Sequence, residues 1–527
     1  MTGVSVSMAT PVLAARRGRP LDWGAWALLA ALMLWVLVPI AVIAAHALAT
    51  HQRLTGADGI IGGDQLQYLS WARDAGGHGL ASDLFVLSPN GHVYLEPMFA
   101  ITGMLWRLGL SLTAAYWLWK PVAVVILFIG AASWSQRLLT GTRERLAALA
   151  LALFMLTPVA SLTVWVALGS VSFRNGVAAV GAEMQPAGTL WGYLPSVVAV
   201  GLMPIALLAC ERALDERRVG DVRGPLLLAS GCGLLAAWLH PWQGATLVLV
   251  LIGLALWEGR RGPRMLALPA IATALPLAYY EVLPHVDSAW KLASHNEIVL
   301  RPPFLALLAG LLPLLIVAAL GLRRRITEPV ERALLLWIPA SLVTYFAVNS
   351  FSVHALDGLS LPLAVPVVRG WRRLRAPVLA GAAAVALITL PGLIYEAREL
   401  HREASSSVQE YYLNRSESHA LAWVARDAPP GGVLAPVLLA LAIPSQTGRA
   451  VWVGHKFWSR DYDARLALAD GLFDGRLPPG EARSLVRVSG ARLLVSSCAE
   501  NSNLVPVLGT MLASAHRFGC ATVYIVR

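Results

Sequence analysis

One acidic residue set among aromatic rings is the first feature of this sequence that could do chemistry. In Gly62-Gly63-Asp64-Gln65-Leu66-Gln67-Tyr68-Leu69-Ser70-Trp71, a helix begun at Asp64 puts Asp64, Tyr68 and Trp71 at i, i+4 and i+7 on one face. A carboxylate and two rings then aim the same way. The pattern supports a second role as well, because an acid after a Gly pair with Gln67 three positions on is a capping-box arrangement, in which the Asp64 carboxylate bonds helix N–H groups. The two roles are compatible. Further acids that could move a proton are Glu96, Glu183 in Ala182-Glu183-Met184-Gln185-Pro186, and Glu281 after Tyr279-Tyr280, each also readable as a solvated loop residue. Cationic groups gather between Leu283 and Pro303 as Lys291, His295 and Arg301, with Arg174 and Lys120 earlier in the chain. They can hold an anion or serve as the snorkelling ends of flanking helices. Lys120 precedes Pro121 inside an apolar stretch, where a charge needs a cavity or a partner. His240-Pro241-Trp242-Gln243 turns between two apolar segments and reads as interfacial packing or as part of a pocket.

The elements that must position these residues are membrane helices. Of 527 residues, 57% are apolar and 14% charged, and the mean hydropathy is +0.62, whereas a soluble domain has about 45–50% apolar and about 25% charged residues. A water-soluble fold is excluded. Apolar runs near 23–48, 94–112 merging into 114–135, 146–167, 189–210, 225–240, 243–257, 265–284, 303–322, 333–350, 358–368 and 376–397 predict about eleven crossings of a hydrocarbon core roughly 30 Å thick. The stretch 94–112 is expected to be re-entrant or interfacial. The first apolar run is too long for a cleavable signal peptide and continues into the bundle. The chain therefore reads as mainly α, a polytopic membrane protein.

Charge distribution orients the bundle. The net charge of +11 is not gathered on a soluble basic face, so nucleic acid is not an expected partner. Instead the connections after every second crossing carry Arg16, Arg17 and Arg19; Arg137, Arg143 and Arg145; Arg212, Arg217, Arg218 and Arg223; Arg260, Arg261 and Arg264; Arg323, Arg324, Arg325 and Arg332; and Arg369, Arg372, Arg373 and Arg375. The acids among them, such as Glu216 and Asp221, are too few to cancel this excess. By the positive-inside rule this face and the N-terminus are cytoplasmic. Residues 1–22 are then a cytoplasmic tail, 23–397 the membrane domain with a first outer loop at 49–93, and 398–527 an extracytoplasmic domain. Within that last part 432–435, 450–453, 491–496 and 522–526 are expected as strands, and 460–474 and 504–515 as helices, giving a small α/β or α+β domain. Only three residues of the chain are lysine, a usage read as that of a GC-rich bacterial genome; the expected location is the bacterial cytoplasmic membrane. Cys210 and Cys232 lie in apolar runs and behave as small hydrophobes, while Cys498 and Cys520 lie in the outer tail, where a disulfide is expected. No internal repeat is visible.

An acid just after the first crossing, in an extended first outer loop, followed by Tyr68 one helical turn later, resembles the signature region of the GT-C membrane glycosyltransferases. The segment Val451-Trp452-Val453-Gly454-His455-Lys456-Phe457-Trp458-Ser459-Arg460-Asp461-Tyr462-Asp463-Ala464-Arg465 is similar to a stretch in bacterial members of that group. Many members carry two adjacent acids where this chain has Asp64-Gln65. The resemblance implies a GT-C-like bundle and transfer of a sugar from a polyprenyl phosphate in the outer leaflet to an acceptor hydroxyl on a glycan, lipid or protein. It implies Asp64 as general base, with Glu183 or Glu96 as assisting acids; Lys291, His295, Arg301 and Arg174 on the donor phosphate; and Tyr68, Trp71, His240 and Glu281 in the substrate pocket. The cofactor stays unassigned, since a divalent metal is compatible but nothing in the sequence requires one, and no residue is assigned as a metal ligand. Two other readings stand beside this one: a transporter or flippase, for which mid-membrane ionisable residues are scarce, and a non-catalytic scaffold of envelope assembly, suggested by Gln65 in place of a second acid.

Overall fold

The structure, a computed structural model, describes residues 22–527 apart from 216–221, 323–325, 376 and 406–409. The tail 1–21 with Arg16, Arg17 and Arg19, and Arg217, Arg218, Glu216, Asp221 and Arg323 to Arg325, lie outside the described residues. Among those described, seven helices are long and apolar enough to cross a membrane: Trp23–Thr50, Leu112–Leu138, Leu194–Leu214, Arg261–Val286, Phe304–Gly321, Pro329–Ala347 and Val378–Ala404. The remaining apolar runs are helical but short or broken. Arg223–Leu239 and Pro241–Trp257 have 17 residues each and meet at His240. The run 146–167 splits into Thr142–Phe154 and Pro158–Val166, because Pro158 cannot continue the ladder and Thr157 instead caps the second piece, accepting from Ala160 N. The stretch 94–112 forms a helix only over Pro97–Arg107. Seven helices rather than about eleven thus satisfy the length criterion.

The Arg-rich connections meet at one end of the bundle. Arg137 bonds Glu211 at 3.0 Å and Glu328 at 2.8 Å, and Arg369 bonds Glu331 at 2.7 Å and the Leu138 carbonyl. Arg372 reaches Glu144 at 2.9 Å, and Arg332 pairs with Glu258. The acids between those arginines therefore tie helix ends together.

The C-terminal region holds a four-stranded sheet in the order Val433–Leu434, Leu493–Val495, Ala521–Val526, Leu512–Phe518, the first pair parallel and the others antiparallel. The expected helix over 504–515 is a correction: α-helix stops after Val505–Leu508, where Gly509 turns at positive φ, and Leu512–Phe518 is a strand whose residues alternate between less and more exposed. Cys498 and Cys520 are joined by a disulfide, their Cα atoms 4.9 Å apart. Cys210 and Cys232 are buried thiols.

This region does not stand apart from the membrane domain. The last span runs to Ala404, past the boundary expected at 397. Arg53–Leu54 of the first outer loop pair antiparallel with Tyr412–Leu413. Val451 N donates to Leu84 O at 2.8 Å, Gln446 to Thr55 O at 2.7 Å and Arg73 to Ser445 O at 3.0 Å. One apolar core runs from Leu32 and Leu127 through Leu66 and Phe85 to Val433 and Val523.

Candidate active site

The first outer loop folds on itself before it builds a site. Gln65 clasps the main chain of Asp58 from both sides, its Oε1 accepting from Asp58 N and its Nε2 donating to Asp58 O. The same amide nitrogen also donates to Trp191 O at 3.3 Å. An acid at position 65 could not donate to those carbonyls, which explains in physical terms why Asp64 has no acidic neighbour here. Asp58 itself is fully buried against Lys120, 2.7 Å away, so the lysine in the apolar stretch has its partner inside the protein and is not available to a ligand.

The helix that follows starts earlier than the capping reading requires. It spans Gly62–His78 with Ile61 at the N-cap position and no side-chain cap, so Asp64 lies inside the first turn. Its negative charge there still favours the helix, but its carboxylate is engaged elsewhere: Asp64 Oδ1 accepts from His455 Nε2 at 2.9 Å. The Asp64 side chain is 41% exposed and that of His455 6%. Phe457 N donates to His455 Nδ1 at 3.4 Å, which leaves Nε2 as the protonated nitrogen and assigns the neutral tautomer from the network.

His455 is held on both sides. Gly454 N donates to Ser459 Oγ at 3.0 Å, and that hydroxyl donates to Phe85 O at 3.1 Å. Asn296 Nδ2 donates to the carbonyls of Phe457 and Ser459, both at 3.1 Å. The turn is packed so closely that a Cβ on Gly454 would lie 2.7 Å from Phe85 Cδ1. The tail segment singled out in the sequence thus lands on the acid singled out in the first loop. The tail also brings a second carboxylate: Glu410 sits beside Gly62, and burial, reinforced by the Asp64 charge, raises its pKa.

Tyr68 and Trp71 share the Asp64 face of the helix as expected, but both are buried in an aromatic wall. Tyr68 stacks on Phe99 at 5.1 Å, Trp71 meets Trp458 at 5.1 Å, Trp458 meets Trp290 at 5.0 Å and Trp290 meets Tyr94 at 4.8 Å. Helix Gly62–His78 can lie this close to helix Pro97–Arg107 because two glycines face each other; a Cβ on Gly103 would lie 2.2 Å from Ala72 O.

The other expected site residues divide. Lys291 and His295, one turn apart on helix Ser288–Asn296, are exposed, and so is Lys456 next to His455. Arg301 is a correction, because its guanidinium donates to Ser352 Oγ, Asn349 Oδ1 and the carbonyls of Phe346 and Val348 and so finishes helix Pro329–Ala347. Arg174 likewise donates to the carbonyls of Ala167 and Gly169. Both guanidinium groups are thus engaged with acceptors of the protein itself. Glu96 caps Pro97–Arg107 by accepting from Phe99 N at 2.7 Å, and burial pushes its pKa up to about 8. Glu281 is exposed on helix Arg261–Val286. Glu183 and His240 are brought together with two residues the sequence reading did not name. Glu183 accepts from His354 Nδ1 at 3.0 Å, His240 Nε2 lies 3.4 Å from Asp357, and Tyr193 bridges from this group to Tyr68 with ring centroids 5.4 Å from His240 and 6.2 Å from Tyr68. Among the described residues Asp64 is not part of any group of three His, Cys, Asp or Glu side chains close enough to share a metal ion.

An exposed carboxylate oriented by an imidazole at the edge of an aromatic wall invites comparison with known folds. No protein-family model and no curated protein matches the chain. Among solved structures, ArnT from Cupriavidus metallidurans bound to undecaprenyl phosphate is 14% identical, with 95% of this chain and 98% of that one superposed at a TM-score of 0.52. The archaeal oligosaccharyltransferase AglB from Archaeoglobus fulgidus, in complex with an inhibitory peptide and a dolichol-phosphate, is 12% identical, covering 92% of this chain and 71% of that one at a TM-score of 0.51. The chain has the GT-C fold. The GT-C likeness spans the bundle and the C-terminal region together, in agreement with the apolar core that the two share.

Proposed function

We propose that this GT-C protein is a membrane glycosyltransferase that moves a sugar from a polyprenyl phosphate to an acceptor hydroxyl at the outer face of the cytoplasmic membrane. The observation that carries the reading is the Asp64–His455 pair: a half-exposed carboxylate on the first-loop helix, fixed at 2.9 Å by an almost fully buried imidazole from the tail. One oxygen of Asp64 is held, and the other is left for a substrate proton. The undecaprenyl phosphate and dolichol-phosphate bound by ArnT and AglB support a lipid-phosphate donor.

In the reaction, the acceptor oxygen attacks the anomeric carbon while its proton passes to Asp64. The bond from that carbon to the phosphate oxygen breaks, and its electron pair leaves with the lipid phosphate. Lys291 and His295, exposed on one helix, and Lys456, adjacent to His455, are the cations suited to the charge that grows on that oxygen. The rings of Trp71, Trp458 and Trp290 form the wall against which a sugar face would rest. The acceptor class, whether glycan, lipid or protein, is set by groups beyond this pair.

A transfer assay with a panel of radiolabelled polyprenyl-phosphate sugars tests the reading. Wild-type protein is expected to release polyprenyl phosphate and transfer label from at least one donor, with Asp64→Asn strongly reduced. Release from no donor in the panel, by protein that is folded and monodisperse, counts against it and favours a scaffold.

A further inference from the structure

Across Tyr193 from the Asp64 helix lies a second polar group. We propose that His240, His354 and Asp357 bind a divalent first-row metal ion of the zinc type, with Glu183 as the outer carboxylate that orients His354. One nitrogen of each imidazole and one carboxylate oxygen of Asp357 lie within 4.8 Å of one another, so small side-chain rotations close them around an ion with ligand bonds of about 2.0–2.2 Å.

Unpartnered atoms point the same way. His240 is 1% exposed and neither of its ring nitrogens has a hydrogen-bond partner. Asp357 is equally buried; Ser196 Oγ donates to its Oδ2, its Oδ1 receives no N–H or hydroxyl donor, and its carboxyl meets that of Glu183, two acids that a shared cation would hold together. Buried donors and acceptors left in this state are costly, and nearly all in native proteins find a partner. A cation between them would satisfy the group. Glu183 fixes the third ligand, because accepting from His354 Nδ1 at 3.0 Å leaves the lone pair of that ring on Nε2, the carboxylate–imidazole–metal arrangement of known sites.

The backbone holds the ligands in place. His240 occupies the break between helices Arg223–Leu239 and Pro241–Trp257, and the turn carrying His354 and Asp357 is tied to the second of these helices by Trp242 Nε1 donating to Ser350 O and Gln243 Nε2 donating to His354 O. Gly358 N donates to Glu183 O at 3.2 Å, which binds that turn to the helix bearing the outer carboxylate. Two imidazoles and one carboxylate with no thiolate suit a zinc-type ion and leave a fourth position for water or substrate. The cluster of Asp74, His78 and His92 is a weaker candidate, since both histidines are already bonded to Asp74 and are exposed.

The proposal concerns binding and is independent of the role given to Asp64. Its test is elemental analysis of protein purified without a histidine tag, dialysed against low-micromolar zinc, together with titration by Co(II) followed through its visible d–d bands. About one ion per chain is expected, displaced from cobalt by zinc, raising the unfolding temperature and lost on chelation. Asp357→Asn and His354→Ala should each lower occupancy at least tenfold, while His78→Ala should leave it unchanged. Wild-type protein that takes up no stoichiometric metal overturns the proposal without reference to any variant, and so does a metal retained by His354→Ala or lost from His78→Ala. Because neither readout involves sugar transfer, failure here is distinguishable from failure of the glycosyltransferase reading.

Discussion

Removing the imidazole from the Asp64–His455 pair has a calculable cost. A hydrogen bond to a charged group contributes about 1.5–3 kcal/mol, and with the carboxylate 41% exposed solvent screening reduces that to roughly 1–1.5 kcal/mol. At about 1.4 kcal/mol per tenfold, His455→Ala should slow turnover about 5- to 13-fold, with donor affinity little changed because the bond positions a base rather than the lipid. Asp64→Asn, which keeps size and leaves the uncapped helix start at Ile61 untouched, should slow turnover about 10²-fold or more through loss of general-base assistance. The double variant decides the matter. If His455 acts only through Asp64, the pair is a unit and Asp64→Asn/His455→Ala is no slower than Asp64→Asn alone. Independent residues would multiply, to about 10³-fold. The assay is single-turnover transfer at saturating donor, with unfolding temperatures recorded for each variant and His455→Gln, which can still donate, as the conservative rescue. A multiplied loss in the double variant would refute the positioning role, and an Asp64→Asn protein with normal turnover would remove the base.

Three further outcomes can be checked. Arg301→Ala should lower stability by about 0.5–1.5 kcal/mol, because the half-exposed carbonyls it satisfies at Phe346 and Val348 lose their donor, with donor KM unchanged; Lys291→Ala should do the reverse, raising donor KM with an unfolding temperature near wild type. Asp83 is 5% exposed and its pKa is pushed up to about 8 by burial, so the fold prefers its neutral form: the stabilisation is fully present below about pH 4 and is lost as pH rises toward 8. Asp83→Asn should therefore flatten the fall in unfolding temperature between pH 5 and 8, and an unchanged slope contradicts the burial argument. Cys498→Ser/Cys520→Ser opens a cross-link between residues 22 apart and should cost on the order of 3 kcal/mol, visible as faster hydrogen exchange in the strands Leu493–Val495 and Ala521–Val526 while the membrane helices are unaffected.

What the sequence showed of the site was its local part. Asp64, Tyr68 and Trp71 follow from helical spacing, which depends on a few neighbouring residues, and the structure keeps them on one face. His455 and Glu410 reach the same place from the tail through pairings that no periodicity encodes; the advance signal was the likeness of the segment 451–465 to a stretch in bacterial GT-C members. The arginines misled for a different reason. An outward charge near a helix end is equally a ligand-binding group and a cap on terminal carbonyls, and Arg301 and Arg174 turned out to be caps. Hydropathy located the long apolar helices and left His240 between two runs, but it could not foresee that Pro158 would break another run, nor that Gly509 would end a helix and let Leu512–Phe518 pair as a strand. His354 and Asp357 were overlooked because they occupy a short connection that hydropathy treats as punctuation.

The reach of the Asp64–His455 pair, 391 residues in sequence, sets a timetable for biosynthesis. The first-loop helix is made early, yet at about 5–20 residues per second its imidazole partner follows only after roughly 20–80 s of further translation, with the intervening helices still to be inserted. Until then the carboxylate has neither its orienting imidazole nor the Trp458 side of its wall, so the site proposed above is not assembled in the nascent chain. Ribosome stalling or proteolysis within the tail would for the same reason leave a bundle without the Asp64–His455 pair, and completion of the tail becomes the step that assembles it.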